Sequence, residues 1–384
     1  MTNEPLTIGF PYAADRFGGS NVSSFVLARA LKEMGHRVFV IAHGKGRVIE
    51  EANGFGLPVE RLPPLSPIPG YARPDRFRLE HLFAFRAARG AIERLNLNLV
   101  HTNDLGMLRT WAGPARSAGV RFIAHWRSNY SKSWSVDTGL LLAQSVISVS
   151  RYSRAQLPGW AQAKTVVEYN PFEIRFEPDV RERARNEIRA RLGLPRNAAI
   201  AGAFGNHIVR KRTHVLADIL NAIPATEDGR PVFGLACGGK AEPYDVLLDE
   251  KIVQYGLGNR LLRPGFVRPV ESWMSACDVI IAPATQEPLA RSVLEAQGLG
   301  IPVVVSTDGG LGELIDESSG ILCDPHNLPA WILAVRRVLD DRLYAASLSK
   351  GGRDLVAALT PHRHAERILD IYRTAGLAPR RRAI

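Results

Sequence analysis

The chain of 384 residues is long enough for two domains, and 46% hydrophobic against 23% charged residues is the balance of a globular protein, not of a disordered or fibrous one. Its three cysteines, Cys237, Cys277 and Cys323, lie far apart in apolar contexts, which excludes a disulfide framework and points to buried thiols in a reducing, cytoplasmic compartment. No stretch reaches the roughly 18 apolar residues of a membrane span, and the start of the chain lacks the basic lead and apolar core of a signal peptide.

Residues 6–11 read as a first strand. Gly18, Gly19, Ser20 and Asn21 form a loop with backbone freedom, and the helix after it puts Phe25, Val26, Leu27, Ala30 and Leu31 on its apolar side. Gly35 and His36 end that helix, and 37–42 form a second strand. This is a βαβ unit with a glycine loop at the ligand edge, without the spacing of a dinucleotide fingerprint. A proline- and glycine-rich run over 54–75 predicts an extended loop. The basic stretch 76–95, with Leu79, Leu82, Phe83 and Phe85, predicts a helix that either packs on the sheet or lies on a membrane. Strands follow at 98–101, 120–124 and 144–150. His125 and Arg127 sit at the exit of the middle one, placed to meet a ligand, although a core histidine satisfied by backbone fits the same position. A strand at 166–169 leads into Asn170-Pro171-Phe172-Glu173.

A charged helix is expected at 181–191, and a second βα series opens with a strand at 199–204. Gly205-Asn206-His207 and then Arg210-Lys211-Arg212 follow it. Three cations after a strand and a glycine suit a phosphate better than a solvated loop. Strands are expected at 232–237 and 261–267. The apolar run 279–282 is a further buried strand, ended by Pro283. Thr285-Gln286-Glu287-Pro288 then leads into a helix with Pro288 near its first turn and Leu289, Val293, Leu294 and Ala296 along one stripe. Gly298 and Gly300 close it, 301–305 is the next strand, and Asp308-Gly309-Gly310 precedes a short helix from Leu311. In a parallel sheet both loops lie at the C-terminal strand edge, where doubly wound folds bind ligands. Free N–H groups at the helix start suit a phosphate, and Glu287 and Glu295 could hold hydroxyls on either side of it. That describes a nucleotide sugar. A last helix is expected at 364–375, and Arg380-Arg381-Arg382 end the chain as a tail.

The stretch Glu287 to Glu295, then Gly300-Ile301-Pro302-Val303-Val304 and Gly309-Gly310-Leu311-Gly312-Glu313, resembles the signature of retaining glycosyltransferase family 4. The opening Gly-Gly loop and the turn at Asn170 resemble the family more loosely. Two departures stand out. Leu289-Ala290 replaces the usual Phe-Gly, and Asn206 stands where an arginine is usual. The resemblance implies an α/β GT-B architecture of two Rossmann-like doubly wound domains facing a central cleft. Residues 1–172 would be the acceptor domain, with a crossing helix at about 362–384, and 173–361 the nucleotide-sugar domain. It implies transfer of a hexose from a nucleotide diphosphate sugar to a hydroxyl with retention, without a cofactor; no Asp-x-Asp motif calls for a metal. Glu287, His125 and Lys211 would carry the chemistry. Glu287 would bind donor-sugar hydroxyls, Lys211 the diphosphate, and His125 the C6 side of the sugar. Gly19, Asn206, Arg210, Val267, Ala290, Arg291, Ser292 and Glu295 would line the donor, with Val267 by the base and Glu295 on the ribose.

Residues 1–172 hold 21 basic against 12 acidic residues, and the remainder holds 28 against 26, so the first half carries most of the net +11. A basic face attracts an anionic membrane surface, and a solvated basic surface has the same composition. The expected acceptor is accordingly a glycan or lipid-linked molecule of the envelope, met at the inner membrane face. A hydrolase, epimerase or phosphorylase on the same fold is the alternative. A nucleic-acid-binding protein fits the charge but lacks any recognised module.

Overall fold

The computed structural model describes residues 4–15, 17–64, 79–173, 178–241 and 243–375. The chain divides into two compact units, one of residues 1–171 with 359–384 and one of residues 172–358. The first holds a seven-stranded sheet: β1 (Thr7–Ala13), β2 (Arg37–His43), β3 (Val59–Leu62), β4 (Leu99–Thr102), β5 (Arg121–Trp126), β6 (Ser145–Ser148) and β7 (Thr165–Val167). The order is β3-β2-β1-β4-β5-β6-β7, and every pairing is parallel. The second unit holds β8 (Ala199–Phe204), β9 (Val232–Cys237), β10 (Leu261–Gly265), β11 (Val279–Ala282), β12 (Val303–Ser306) and β13 (Ile321–Cys323), in the order β10-β9-β8-β11-β12-β13 and again parallel. Each is a Rossmann-like doubly wound sheet. Its chain order reverses direction between β1 and β4 in the first unit and between β8 and β11 in the second, the position where such sheets bind ligands.

The sequence explains the sheets directly. The central strands are short apolar runs, such as Val303-Val304-Val305, buried along their length because helices cover both faces. The alternating helices carry the apolar stripes that cover them. The last helix, Pro361–Thr374, buries Ala365, Ile368, Leu369 and Tyr372 in the core of the first unit, against the helix Gly19–Glu33. That unit is therefore built from both ends of the chain.

Four local expectations change. The helix after β1 begins at Gly19, so the glycine loop is its first turn, with Gly18 as the extended N-cap. The proline-rich stretch contains β3, paired with β2; the rest of it, 65–78, lies outside the described residues, as does the Arg380-Arg381-Arg382 tail. The helix after β11 is Arg291–Gly298, so Pro288 and Leu289 precede it instead of opening it. The helix at Leu311 is a single 3-10 turn, Leu311–Glu313.

Candidate functional site

In the second unit three loops meet at the C-terminal ends of β8, β11 and β12. Glu287 follows β11 and is only 7% exposed. Its carboxylate accepts from Arg210 Nη1 and pairs with Lys211 Nζ at 2.9 Å, both from the loop after β8. Burial alone would raise the Glu287 carboxyl, but the charges of Lys211 and Arg210 outweigh it and hold the group below its usual range. Two cations thus share one buried carboxylate at the switch of the sheet.

The backbone locks the same three loops. Thr285 N–H donates to the Arg210 carbonyl at 2.9 Å, Gln286 N–H to Asp308 Oδ2 at 3.2 Å, and Gly310 N–H to the Glu287 carbonyl at 2.7 Å. Gly309 (φ 79°) passes so close that a Cβ there would stand 2.5 Å from the Glu287 carbonyl oxygen, which only glycine permits. The left-handed backbone of the neighbouring loop falls on Gln286 (φ 52°), whereas Ala290 is extended at φ −87°. The Gly-to-Ala departure at 290 therefore carries no backbone strain.

Ala290 is the N-cap of the next helix, Arg291–Gly298, and its methyl side chain offers the first turn no acceptor. Arg291 Nε donates to Glu295 Oε1 at 2.7 Å, one turn along. Asn206 is exposed, with its Oδ1 3.4 Å from the Gly239 amide. Of the two cations flanking Lys211, only Arg210 joins the cluster. Arg212 donates to the Pro325 carbonyl at 2.8 Å instead. Val267 is half-buried just after β10, packed against the apolar cluster that includes Trp273.

In the first unit the strand ends hold a different arrangement. His125 lies within β5, which runs two residues past the expected end at 124, and is 3% exposed. Arg127 Nη2 lies 3.1 Å from His125 Nδ1, and a guanidinium can only donate. Nδ1 is therefore the acceptor and the imidazole proton sits on Nε2. His101 Nε2–H, 3.1 Å away, donates to the same Nδ1, and the Tyr372 hydroxyl donates to His101 Nδ1 at 2.6 Å. The tautomers of both rings follow from this chain of donors. His125 Nε2 has no hydrogen-bond partner among the described residues, nor have Asn103 Nδ2 and His364 Nε2 beside it. Arg127 also donates to Asn103 Oδ1 at 3.3 Å and to Asn170 Oδ1. Burial, then the Arg127 charge, push His101 and His125 well below the usual histidine range, and burial lowers His364 despite its 3.1 Å contact with Glu168. His125 is thus buried like a core histidine, but its Nδ1 is satisfied by the side chains of Arg127 and His101 and not by backbone.

Gly19 opens its helix in an exposed position. Nothing stands within 4 Å of where a Cβ would lie on Gly18, whose amide donates to Asn21 Oδ1 at 2.9 Å. The structure thus groups Glu287, Lys211 and Arg210 in one cluster, pairs Arg291 with Glu295 on the neighbouring helix, and leaves Asn206 and Val267 in adjoining loops. His101, Asn103 and Tyr372 were not singled out as site residues in the sequence, although Asn103 stands at an expected strand exit. His101 ends an expected strand, which is a weak signal, whereas Tyr372 lies 271 residues from its partner and carries none.

Two doubly wound parallel sheets of this topology define the GT-B class, and solved structures share it. The chain superposes on Anabaena Alr3699/HepE, crystallised with UDP and glucose, at a TM-score of 0.80 and 22% identity, covering 96% of this chain and 100% of that one. Sucrose-phosphate synthase from Thermosynechococcus elongatus gives 0.75 at 21% identity, covering 96% and 98%. Residues 17–175 match the model of Glycosyltransferase Family 4, and residues 196–341 that of Glycosyl transferases group 1. Each of the two units thus matches a glycosyltransferase model, and the chain is similar to the family 4-like glycosyltransferases. Among curated relatives, it is 28% identical over 195 residues to the lipopolysaccharide core biosynthesis mannosyltransferase LpsB of Rhizobium meliloti, covering 49% of this chain and 54% of that protein. It is 31% identical over 220 residues to a D-inositol 3-phosphate glycosyltransferase of Saccharomonospora viridis, covering 55% and 50%. The chain spans about half the length of the curated relatives it matches.

Glu287→Gln removes the counter-charge of two cations while keeping the side chain's shape. It is expected to cost about 1–3 kcal/mol in denaturant unfolding at neutral pH, the scale of a charged hydrogen bond. Because the Glu287 carboxyl is held low, its contribution is complete above the ordinary glutamate range and fades as pH falls towards its lowered value, so the difference between variant and wild type should shrink in acid. An unchanged difference down to strong acid would contradict the pairing.

The buried histidines act in a higher window. A histidine held neutral stabilises fully above about pH 6.5, and below that the unfolded state gains protons first, at about 1.4 kcal/mol per pH unit for each ring. Nitrogen-15 spectra at pH 7.5 should show His125 with its proton on Nε2, and Arg127→Met should shift that tautomer balance. A wild-type Nδ1–H signal would refute the assignment.

Proposed function

We propose that the protein is a retaining glycosyltransferase that moves a hexose from a nucleotide diphosphate sugar to a hydroxyl of a glycan or lipid-linked acceptor. The observation that carries this reading is the pair of cations, Arg210 and Lys211, gathered on Glu287 at the switch of a doubly wound sheet, beside the start of the helix Arg291–Gly298. Such a place suits a diphosphate. Support for the donor comes from the solved relative whose structures contain UDP, UDP and glucose, or UDP-glucose. The LpsB likeness supports an envelope acceptor.

In this reading the side-chain cations and the amides at Arg291 and Ser292 take up the charge that develops on the leaving diphosphate, without a divalent metal. The bond from the anomeric carbon to the diphosphate oxygen breaks while the acceptor oxygen bonds on the same face. The acceptor proton passes to a diphosphate oxygen. Glu287 is not the nucleophile, because two cations already hold its carboxylate. It fixes Lys211 and Arg210 and accepts from a sugar hydroxyl. Glu295, steered by Arg291, accepts from the ribose, and Val267 borders the base. His125 offers Nε2–H to a sugar oxygen. Gly18 and Gly19 keep the first turn of their helix open, and among the described residues no contact requires the glycine at 18.

The acceptor side is placed at an anionic membrane surface. The first half of the chain carries the basic excess, and its helices expose Trp134, Phe83 and Leu141 at 82%, 67% and 66%. Among the described residues no helix is long and apolar enough to cross a membrane.

A melting panel with UDP, GDP, ADP and their sugar conjugates tests the donor. One nucleotide series should raise the melting temperature, and Lys211→Ala should weaken that ligand about 10- to 100-fold, the loss of one charged hydrogen bond. Turnover of the same donor should survive EDTA. No stabilisation by any series would contradict the reading. For the membrane, co-sedimentation with phosphatidylglycerol vesicles at low salt should fall in Trp134→Ala, and absence of wild-type binding would remove this part of the proposal.

A further inference from the structure

The ends of the second unit's strands away from Glu287 enclose an open basin of about 620 Å³, lined at the N-terminal edge of the sheet by Ala198, Asp278 and Pro302. Its walls are arginine. Arg185 and Arg189 both clamp Asp278, at 2.5 and 2.7 Å, and cap the carbonyls of Ser275, Ala276, Cys277 and Ala198. These two are structural, holding the charged helix Pro178–Arg191 to the sheet, and they already exceed the one carboxylate in the lining. Arg181 and Arg353 then converge on Gly300. A Cβ built there would lie 2.0 Å from Arg353 Nη1 and 3.5 Å from Arg181 Nη1. Among the described residues neither forms an ion pair, and nor does Arg196 at the rim. Burial, then the like charges of Arg185 and Arg353, lower the Arg181 pKa. Guanidinium groups gathered over one hollow without matching carboxylates repel one another, and that arrangement is relieved by an anion with several oxygens.

We propose that this basin is a second anion site, distinct from the cluster at Glu287, that binds a compact molecule bearing two or more phosphates. Planar guanidinium forks from Arg181 and Arg353 grip neighbouring phosphates, and Arg196 closes the rim. The cavity is too large for a single phosphate alone and concave enough to surround several. The source is a soluble phosphorylated metabolite or a phosphorylated headgroup; the chemistry of recognition is the same.

Inorganic tripolyphosphate is the probe for the soluble source. It should raise the melting temperature of wild-type protein, and the rise should disappear in Arg181→Gln/Arg353→Gln but persist in Lys211→Ala. The double variant should itself melt no lower than wild type, because it removes like-charge crowding. If it fails to fold, Arg353→Gln alone, an exposed change, should still reduce the rise by more than half. Vesicles carrying a phosphatidylinositol bisphosphate probe the headgroup source, and their binding should show the same dependence on Arg181 and Arg353. A tripolyphosphate response lost in Lys211→Ala and kept in the double variant would assign the anion to the Glu287 cluster and overturn the proposal. So would the absence of any response to both probes.

Discussion

A single buried carboxylate organises the second unit. Glu287 would be costly to bury as a charge, and the cost is met by Arg210 and Lys211, which reach it from the neighbouring loop. That pairing decides much else. It pins the loop after β8 to the loop after β11. The third loop packs on the backbone of Glu287 so closely that position 309 must lack a side chain. The pairing also sets two cations against one buried carboxylate at the sheet's switch point, next to the start of the helix Arg291–Gly298. The fold makes the place, and this charge balance makes it suited to phosphate.

The first unit achieves its polar centre by a different route. Its histidines are buried and kept neutral, and the hydrogen bonds around them set which nitrogen carries the proton. Arg127 fixes His125 as a donor through Nε2. Tyr372, from the last helix, fixes His101, so the end of the chain completes a network begun on β4 and β5. The two units thus hold their polar centres in different ways, one as a buried ion cluster and the other as a neutral hydrogen-bond network.

Much of this was legible in the sequence because it rests on short-range rules. Apolar runs of four to six residues ended by glycine or proline located most strands, and alternation with helices gave the parallel sheets. The spacing from Glu287 to Gly310 located the loops around the carboxylate. What stayed hidden depends on contacts across the chain. The edge strand β3 lies in a proline-rich stretch, where local signals favour a loop and only pairing with β2 reveals the strand. Pro288 marked a helix start that the structure places at Arg291, because the Glu287 carbonyl is taken by the Gly310 amide and Ala290 is extended. Whether Arg210 or Arg212 accompanies Lys211 could not be read from three adjacent cations, since the choice turns on a left-handed residue, Arg212, that aims its side chain at Pro325. The arginine basin combines residues from five separate segments and has no linear motif at all.

The account stands on the claim that Arg210 and Lys211 hold a diphosphate. Calorimetric titration of the preferred nucleoside diphosphate and of its parent nucleoside, on wild type and on Arg210→Ala/Lys211→Ala, tests it most directly. The account predicts that the double variant loses at least about 100-fold in affinity for the diphosphate, two charged contacts' worth, while the nucleoside binds both proteins equally. Equal diphosphate affinity in the two proteins would contradict it.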